Sequence, residues 1–163
     1  MVATSEFHAR GAFELLVRVH LISDAILSSS SIPVVDEISP IPGGYALNVD
    51  GSVQIEPGCC CDLSDLESWS SAFREGVGPT LLNIGHGCFS LSSDGAVTTI
   101  TRRSEVVGHE DDTFQYPASA FARALEQADV ERKRFAESLK SYVSQFALSE
   151  ELDQVVNRLI FGL

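Results

Sequence analysis

The chain has 163 residues, with 11 Lys and Arg against 23 Asp and Glu, so its formal net charge at pH 7 is −12 and its sequence pI is about 4.6. An apolar content of 44% is ordinary for a globular domain and excludes an unfolded polyelectrolyte. The acid excess excludes nonspecific nucleic-acid binding through bulk charge, because neutralising phosphates needs Lys and Arg.

No run approaches the roughly 20 apolar residues of a membrane span, and the longest apolar stretch, 13–22, carries Glu14, Arg18 and His20. Residues 1–6 lack the basic-then-apolar order of an export signal. The cytoplasm is therefore the expected compartment, with the four cysteines reduced. A chain of this length is expected to form one domain without a disulfide, metal or cofactor. Its charge is uneven: residues 1–101 hold three arginines against twelve acids, and residues 102–163 hold eight bases against eleven acids. The first part is the electronegative one, towards which a basic partner would be drawn, although an acidic surface also serves solubility.

In chain order, Phe13, Leu15, Val17, Val19 and Leu21 alternate with Glu14, Arg18 and His20, which predicts a strand over 13–22. A helix over 7–27 competes, on the spacing of Ala12, Leu16, Val19, Ile22 and Ile26. Ser28–Ser31 and Pro33 break either element. Pro40, Pro42, Gly43 and Gly44 then lead into a hairpin, in which 45–49 and 52–56 flank the turn dipeptide Asp50-Gly51. Asp62 or Ser64 caps a helix over 63–75 that Gly76 ends, with Asp65 and Glu67 favouring its first turns and Leu66, Trp69 and Phe73 sharing its core face. A strand at 80–84 precedes a second hairpin, 89–91 and 96–101, turning at Ser92-Ser93-Asp94-Gly95. Residues 105–116 read as a polar loop in which His109 is solvated.

After Pro117 there is no Gly or Pro until Gly162. Phe121, Leu125, Ala128, Phe135, Leu139, Tyr142 and Phe146 recur at alternating spacings of four and three, with one gap at Arg132. That stripe predicts a long helix whose seam packs on the sheet, on a following helix or on a second copy of the chain. Ser149 caps a shorter helix carrying Val155, Val156, Leu159 and Ile160. Arg132-Lys133-Arg134 reads as a solvated helix face pairing with Glu131 and Glu137.

All four cysteines fall in two places, Cys59-Cys60-Cys61 and Cys88, the latter two residues from His86. Cys59 with Cys61, and His86 with Cys88, could offer zinc a Cys3His set, although adjacent cysteines point apart and the spacing is not that of a zinc motif. A second reading makes Cys61, just before the helix at Asp62, or Cys88, two residues from His86, a nucleophile of lowered thiol pKa, which would still need a base and an orienting acid, with Asp62 or Asp65 as candidates. The third is packing, in which reduced cysteines behave as small apolar side chains and no cofactor is bound. No dinucleotide, P-loop, zincin or hydrolase-elbow motif is present.

The series Gly43-Gly44-Tyr45, a hairpin, Pro57-x-Cys59-Cys60-x-Asp62-Leu63, Trp69 and Ile84-Gly85-His86, within residues 42–101, resembles a set of small bacterial proteins of the toxin-immunity type. The resemblance implies tight stoichiometric binding to a toxin, often a basic nuclease, through an acidic surface. It assigns no catalytic residue, and the C-terminal helices lie outside it.

The expected fold is a single α+β domain. Its sheet-rich part (1–104) is a mostly antiparallel sheet with two hairpins and one inserted helix, and its helical part (117–162) is a long and a short C-terminal helix. The expected function is that of a small, acidic, non-catalytic protein in the cytoplasm. It would bind a basic protein partner through Asp36, Glu37, Glu56, Asp62, Asp65 and Glu67, and neither nucleic acid nor a membrane. One alternative is a cysteine- or zinc-dependent enzyme centred on Cys59, Cys61, His86 and Cys88. Another is an oligomeric scaffold, a homodimer for instance, assembled through residues 121–146.

Overall fold

The computed structural model describes residues 40–50, 52–57, 60–76, 78–84, 87–103, 111–144 and 152–163. The alternating segment 13–22, the cap position Ser149 and the seam residue Phe146 lie outside them. Asp50 takes φ 51°, the left-handed conformation that a tight hairpin turn requires. It joins β1 (Leu47–Val49) to β2 (Ser52–Ile55), an antiparallel pair with a register irregularity between Leu47 and Asn48. This hairpin is a two-stranded sheet of its own.

Asp62 caps a single 3₁₀ turn, Leu63–Asp65, that runs directly into α1 (Leu66–Glu75). Gly76 at φ 66° ends the helix, as a residue without a Cβ can do at little cost. The four remaining strands, β3 (Thr80–Ile84), β4 (Gly87–Ser93), β5 (Val97–Arg102) and β6 (Asp112–Pro117), pair antiparallel in sequence order. At the β4–β5 turn Asp94 accepts from the Val97 and Ala96 amides at 2.7 and 2.9 Å, which holds its carboxyl below the usual carboxylate range.

The period of two puts Leu82, Phe89, Leu91, Thr98 and Ile100 on one buried face of this sheet. The other face carries Ser90, Ser92, Thr99 and Thr101, and on edge strand β3 Leu81 is 76% exposed. Strand β6 corrects the expectation of a loop at residues 112–116, since it pairs along β5 from Pro117 opposite Val97 to Asp112 opposite Arg102, while residues 105–110, His109 among them, lie outside the described residues. Only Phe114 and Tyr116 turn inward, and then partly. An edge strand with one solvated face mixes Asp, Thr and Gln with its aromatics and so reads as polar.

The buried face is covered by α1 and by α2 (Ala118–Val143). Trp69 and Phe73 pack tilted on Phe121 with ring centroids 6.2 and 5.6 Å apart, in a core that also takes in Ile55, Cys61 and Ala72. Further along, α2 packs on α3 (Leu152–Phe161), where Phe135 and Leu139 are buried, as are Val155, Leu159 and Ile160. Lys140 and Asp153 form an ion pair between the two helices. The architecture is the expected α+β arrangement, with a long and then a short C-terminal helix. Among the described residues no helix is long and apolar enough to cross a membrane.

Residues 40–44 lace these parts together. The Ile41 amide donates to the Leu159 carbonyl at 2.8 Å, Gly43 N–H to Cys61 O at 2.9 Å, and Leu63 N–H to Ile41 O at 3.2 Å. At Gly44 the backbone takes φ +136°, and a Cβ there would lie 2.7 Å from Pro57 Cβ and 2.9 Å from Cys61 Cβ. Gly44→Ala is therefore expected to cost about 2–3 kcal/mol in urea unfolding, from strain and overlap together. Gly95→Ala, at φ +87° but with nothing within 4 Å, should cost about 1 kcal/mol from conformation alone. Equal losses for the two variants would contradict the close packing at Gly44.

Candidate functional site

Residues 40–67 contain Asp50, Glu56, Asp62, Asp65 and Glu67 and no Lys, Arg or His. The structure divides these acids by task. Asp62 accepts from the Ser64 amide at 2.7 Å, and Asp65 accepts from the Asp62 amide at 3.0 Å, a reciprocal capping box. Both are partly buried. Burial pushes the Asp65 carboxyl above its usual range, opposed in part by the Asp62 amide and by a hydrogen bond from the Cys61 side chain. Asp50 and Glu56 are exposed, while Asp36 and Glu37 lie outside the described residues.

Glu67 meets the one base in the apolar stripe of α2. Arg132 is 5% exposed, which corrects the reading of Arg132-Lys133-Arg134 as a uniformly solvated face: Lys133 and Arg134 are exposed, and Arg132 is not. Its Nη2 donates to Glu67 Oε1 and to Asp129 Oδ1, both at 2.9 Å. Its guanidinium carbon stands 4.6 Å from the centroid of the Phe161 ring at the end of α3. Burial alone would lower the pKa of this group, but the hydrogen bonds it donates to Glu67 and Asp129 outweigh that and raise it. Asp129 also pairs with Lys133 at 2.6 Å; that bond first, and Arg132 second, hold its carboxyl below the usual range. The Glu67 side chain remains 60% exposed. The pair is thus one-sided, with its cation inside and a carboxylate outside.

Two clefts border α1 and α2, and the first of them adjoins this pair. The larger, about 520 Å³, lies between α1 and α2 and is lined by Glu67, Glu126 and Asp129 together with Arg74 and Lys133. The smaller, about 130 Å³, is apolar and lies between β1 and the same two helices. Tyr45 borders it, with Oη donating to the Leu63 carbonyl at 3.0 Å; burial pushes that hydroxyl's pKa well above the ordinary tyrosine value.

Of the cysteines, Cys61 is 3% exposed in the main core and Cys60 is exposed. The surroundings of Cys61, packed in the apolar core, are those of a packing residue. Cys88 lies in β4 opposite Asn83, and Cys59 and His86 lie outside the described residues. Among those residues no three His, Cys, Asp or Glu side chains are grouped to hold a metal ion. Sequence reasoning missed Arg132, although it had a signal: a base at the one interruption of an otherwise regular apolar stripe.

Arg132 Nε and Nη1 are buried without a hydrogen-bond partner. Replacing the residue by a flexible apolar one removes that cost along with the ion pairs, whereas removing both acids strands the cation. Arg132→Met is therefore expected to change stability by no more than about 1 kcal/mol, and Glu67→Ala with Asp129→Ala to cost about 3 kcal/mol. The reverse order in urea unfolding would overturn the account of the buried pair.

The depressed pKa of Asp129 also carries a pH signature. Its ionised form stabilises the fold above the unfolded value of about 4, and that contribution is lost as pH falls through the folded value. The stability gap between the protein and Asp129→Asn should be full at pH 6 and shrink below about pH 4; a gap independent of pH would contradict the assignment. No protein-family model, curated protein or solved structure matches this chain.

Proposed function

We propose that this protein is a non-catalytic binding protein that engages a basic protein partner through the acidic surface of residues 40–67. The observation that carries the reading is the one-sided ion pair. The base paired with this stretch, Arg132, is buried and Glu67 faces solvent above it, with Arg74 and Lys133 along the cleft beside it. With Asp50 and Glu56 also exposed and no base between residues 40 and 67, the outward charge there is negative. Complementary charge of this kind raises association rate and selectivity more than it raises intrinsic affinity. The likeness of residues 42–101 to toxin-immunity proteins points to the same class of partner, a basic toxin, met in the cytoplasm.

Asp62 and Asp65 start a helix, so the charge test belongs elsewhere. Asp50→Asn keeps a residue that tolerates the left-handed turn, Glu56→Gln changes an exposed side chain, and Glu67→Gln leaves an acceptor for Arg132. A basic protein captured at low ionic strength is identified by mass spectrometry and its association rate measured as salt rises. The triple variant is expected to slow association about tenfold at low salt with an unchanged urea midpoint, and salt to slow the unmodified pair likewise. Failure to capture a basic protein, or association indifferent to both salt and the three substitutions, would overturn the proposal.

A further inference from the structure

The four-stranded sheet has two edges, and they are built differently. At β6 the edge is guarded: Asp112 at one end is exposed and paired with Arg102, and Pro117 at the other has no N–H to offer. Edge strand β3, Thr80–Ile84, has none of these devices. It holds no charged residue and no proline, and its register with β4 runs from Thr80 opposite Leu91 to Ile84 opposite Gly87 without a bulge. An antiparallel strand with a neighbour on one side only directs the N–H and C=O of alternate residues outward. Among the described residues no strand pairs with that side of β3. On the outer face of the same strand Leu81 is 76% exposed, beside Ser90 of β4. An unguarded edge of this kind is a template for one more strand.

Charge selects which strand that is. Residues 76–93 form the longest run in the chain without Asp, Glu, Lys or Arg, so this edge offers a basic partner nothing. A second copy, carrying −12 like the first, is repelled over most of its surface and meets the least repulsion where neither copy is charged. An antiparallel edge is also its own complement, because a two-fold axis brings the outward N–H groups of each copy to the outward C=O groups of the other. We propose that β3 pairs antiparallel with β3 of a second copy about such an axis, with Leu81 opposite its counterpart, so that two sheets become one of eight strands. This register covers the exposed Leu81 with an equal side chain. Association stops at two copies because both edges left over are the guarded β6. Five residues a side make a contact smaller than a standard interface, so the dimer is weak and reversible. Glu75 stands at the start of the strand, accepting from the Thr80 hydroxyl at 3.1 Å, and adds a repulsion across the axis that salt screens.

The full chain is followed by sedimentation equilibrium from micromolar to millimolar concentration. A monomer–dimer equilibrium is expected, and raising salt should strengthen it, because the contact is uncharged and the copies repel. Salt acts in the opposite direction on a basic partner, so the two proposals succeed or fail separately. Leu81→Lys and Leu81→Glu should each weaken the dimer about tenfold, as like charges opposed across two strands do, and mixing the two variants should restore it as a heterodimer. On the unmodified chain, hydrogen exchange of the β3 amides should slow as protein concentration rises. A monomer at every concentration, or growth beyond two copies, would overturn the proposal. So would a mixture no tighter than either variant alone, or concentration-dependent protection confined to α2 in place of β3.

Discussion

A guanidinium ion in the apolar stripe of a helix stays buried only if acceptors surround it, and much of this protein's arrangement is organised around meeting that demand at Arg132. The acceptors come from two helices, Glu67 near the start of α1 and Asp129 one turn back on α2, and the aromatic face of Phe161 comes from α3. Three helices with no backbone pairing between them are thereby held to one geometry at one side chain. Such a pair adds little net stability over an apolar substitute. Its effect is to make the position of α1 relative to α2 specific, because any other placement strands the charge.

The same arrangement determines what solvent meets. Acids in residues 40–67 fall into an inner set and an outer set. Asp62 and Asp65 turn inward to start a helix, which requires residues 40–44 to run close beside residues 61–63, and that closeness in turn requires a glycine at Gly44. Asp50, Glu56 and Glu67 stay outside. Because Arg132 is drawn beneath the surface, it does not offset the outer set there, and the exposed bases nearest Glu67 are Arg74 and Lys133, which line the adjoining cleft. The proposed engagement of a basic partner is thus a consequence of internal packing as well as of net charge.

Local signals made most of the described fold legible in the sequence. Asp50-Gly51, the Asp62 cap, Gly76 and Pro117 each mark a boundary through backbone chemistry that needs no knowledge of neighbours, and the structure turns or stops at each. Strand β6 was hidden because half of its residues face water, so its inward Phe114 and Tyr116 read as isolated aromatics in a polar stretch. The split of the strands into two sheets was hidden too, since pairing partners are not a local property. At the site, the acidity of residues 40–67 was legible, but which acids face outward was not: capping and ion pairing depend on geometry across 65 residues of sequence separation between Glu67 and Arg132. The apolar cleft is a property of three elements together and leaves no pattern in any one of them.

Surface potential is the quantity on which the account turns, and it can be measured residue by residue without knowing the partner. Amide proton relaxation is recorded with a cationic and with an anionic nitroxide of matched size, and the ratio of the two enhancements gives the local potential. The account predicts that amides of residues 47–67 are relaxed more by the cationic probe than by the anionic one, by a wider margin than amides on the Ser- and Thr-rich face of the four-stranded sheet. Equal enhancements along 47–67, or a stronger effect of the anionic probe there, would contradict it.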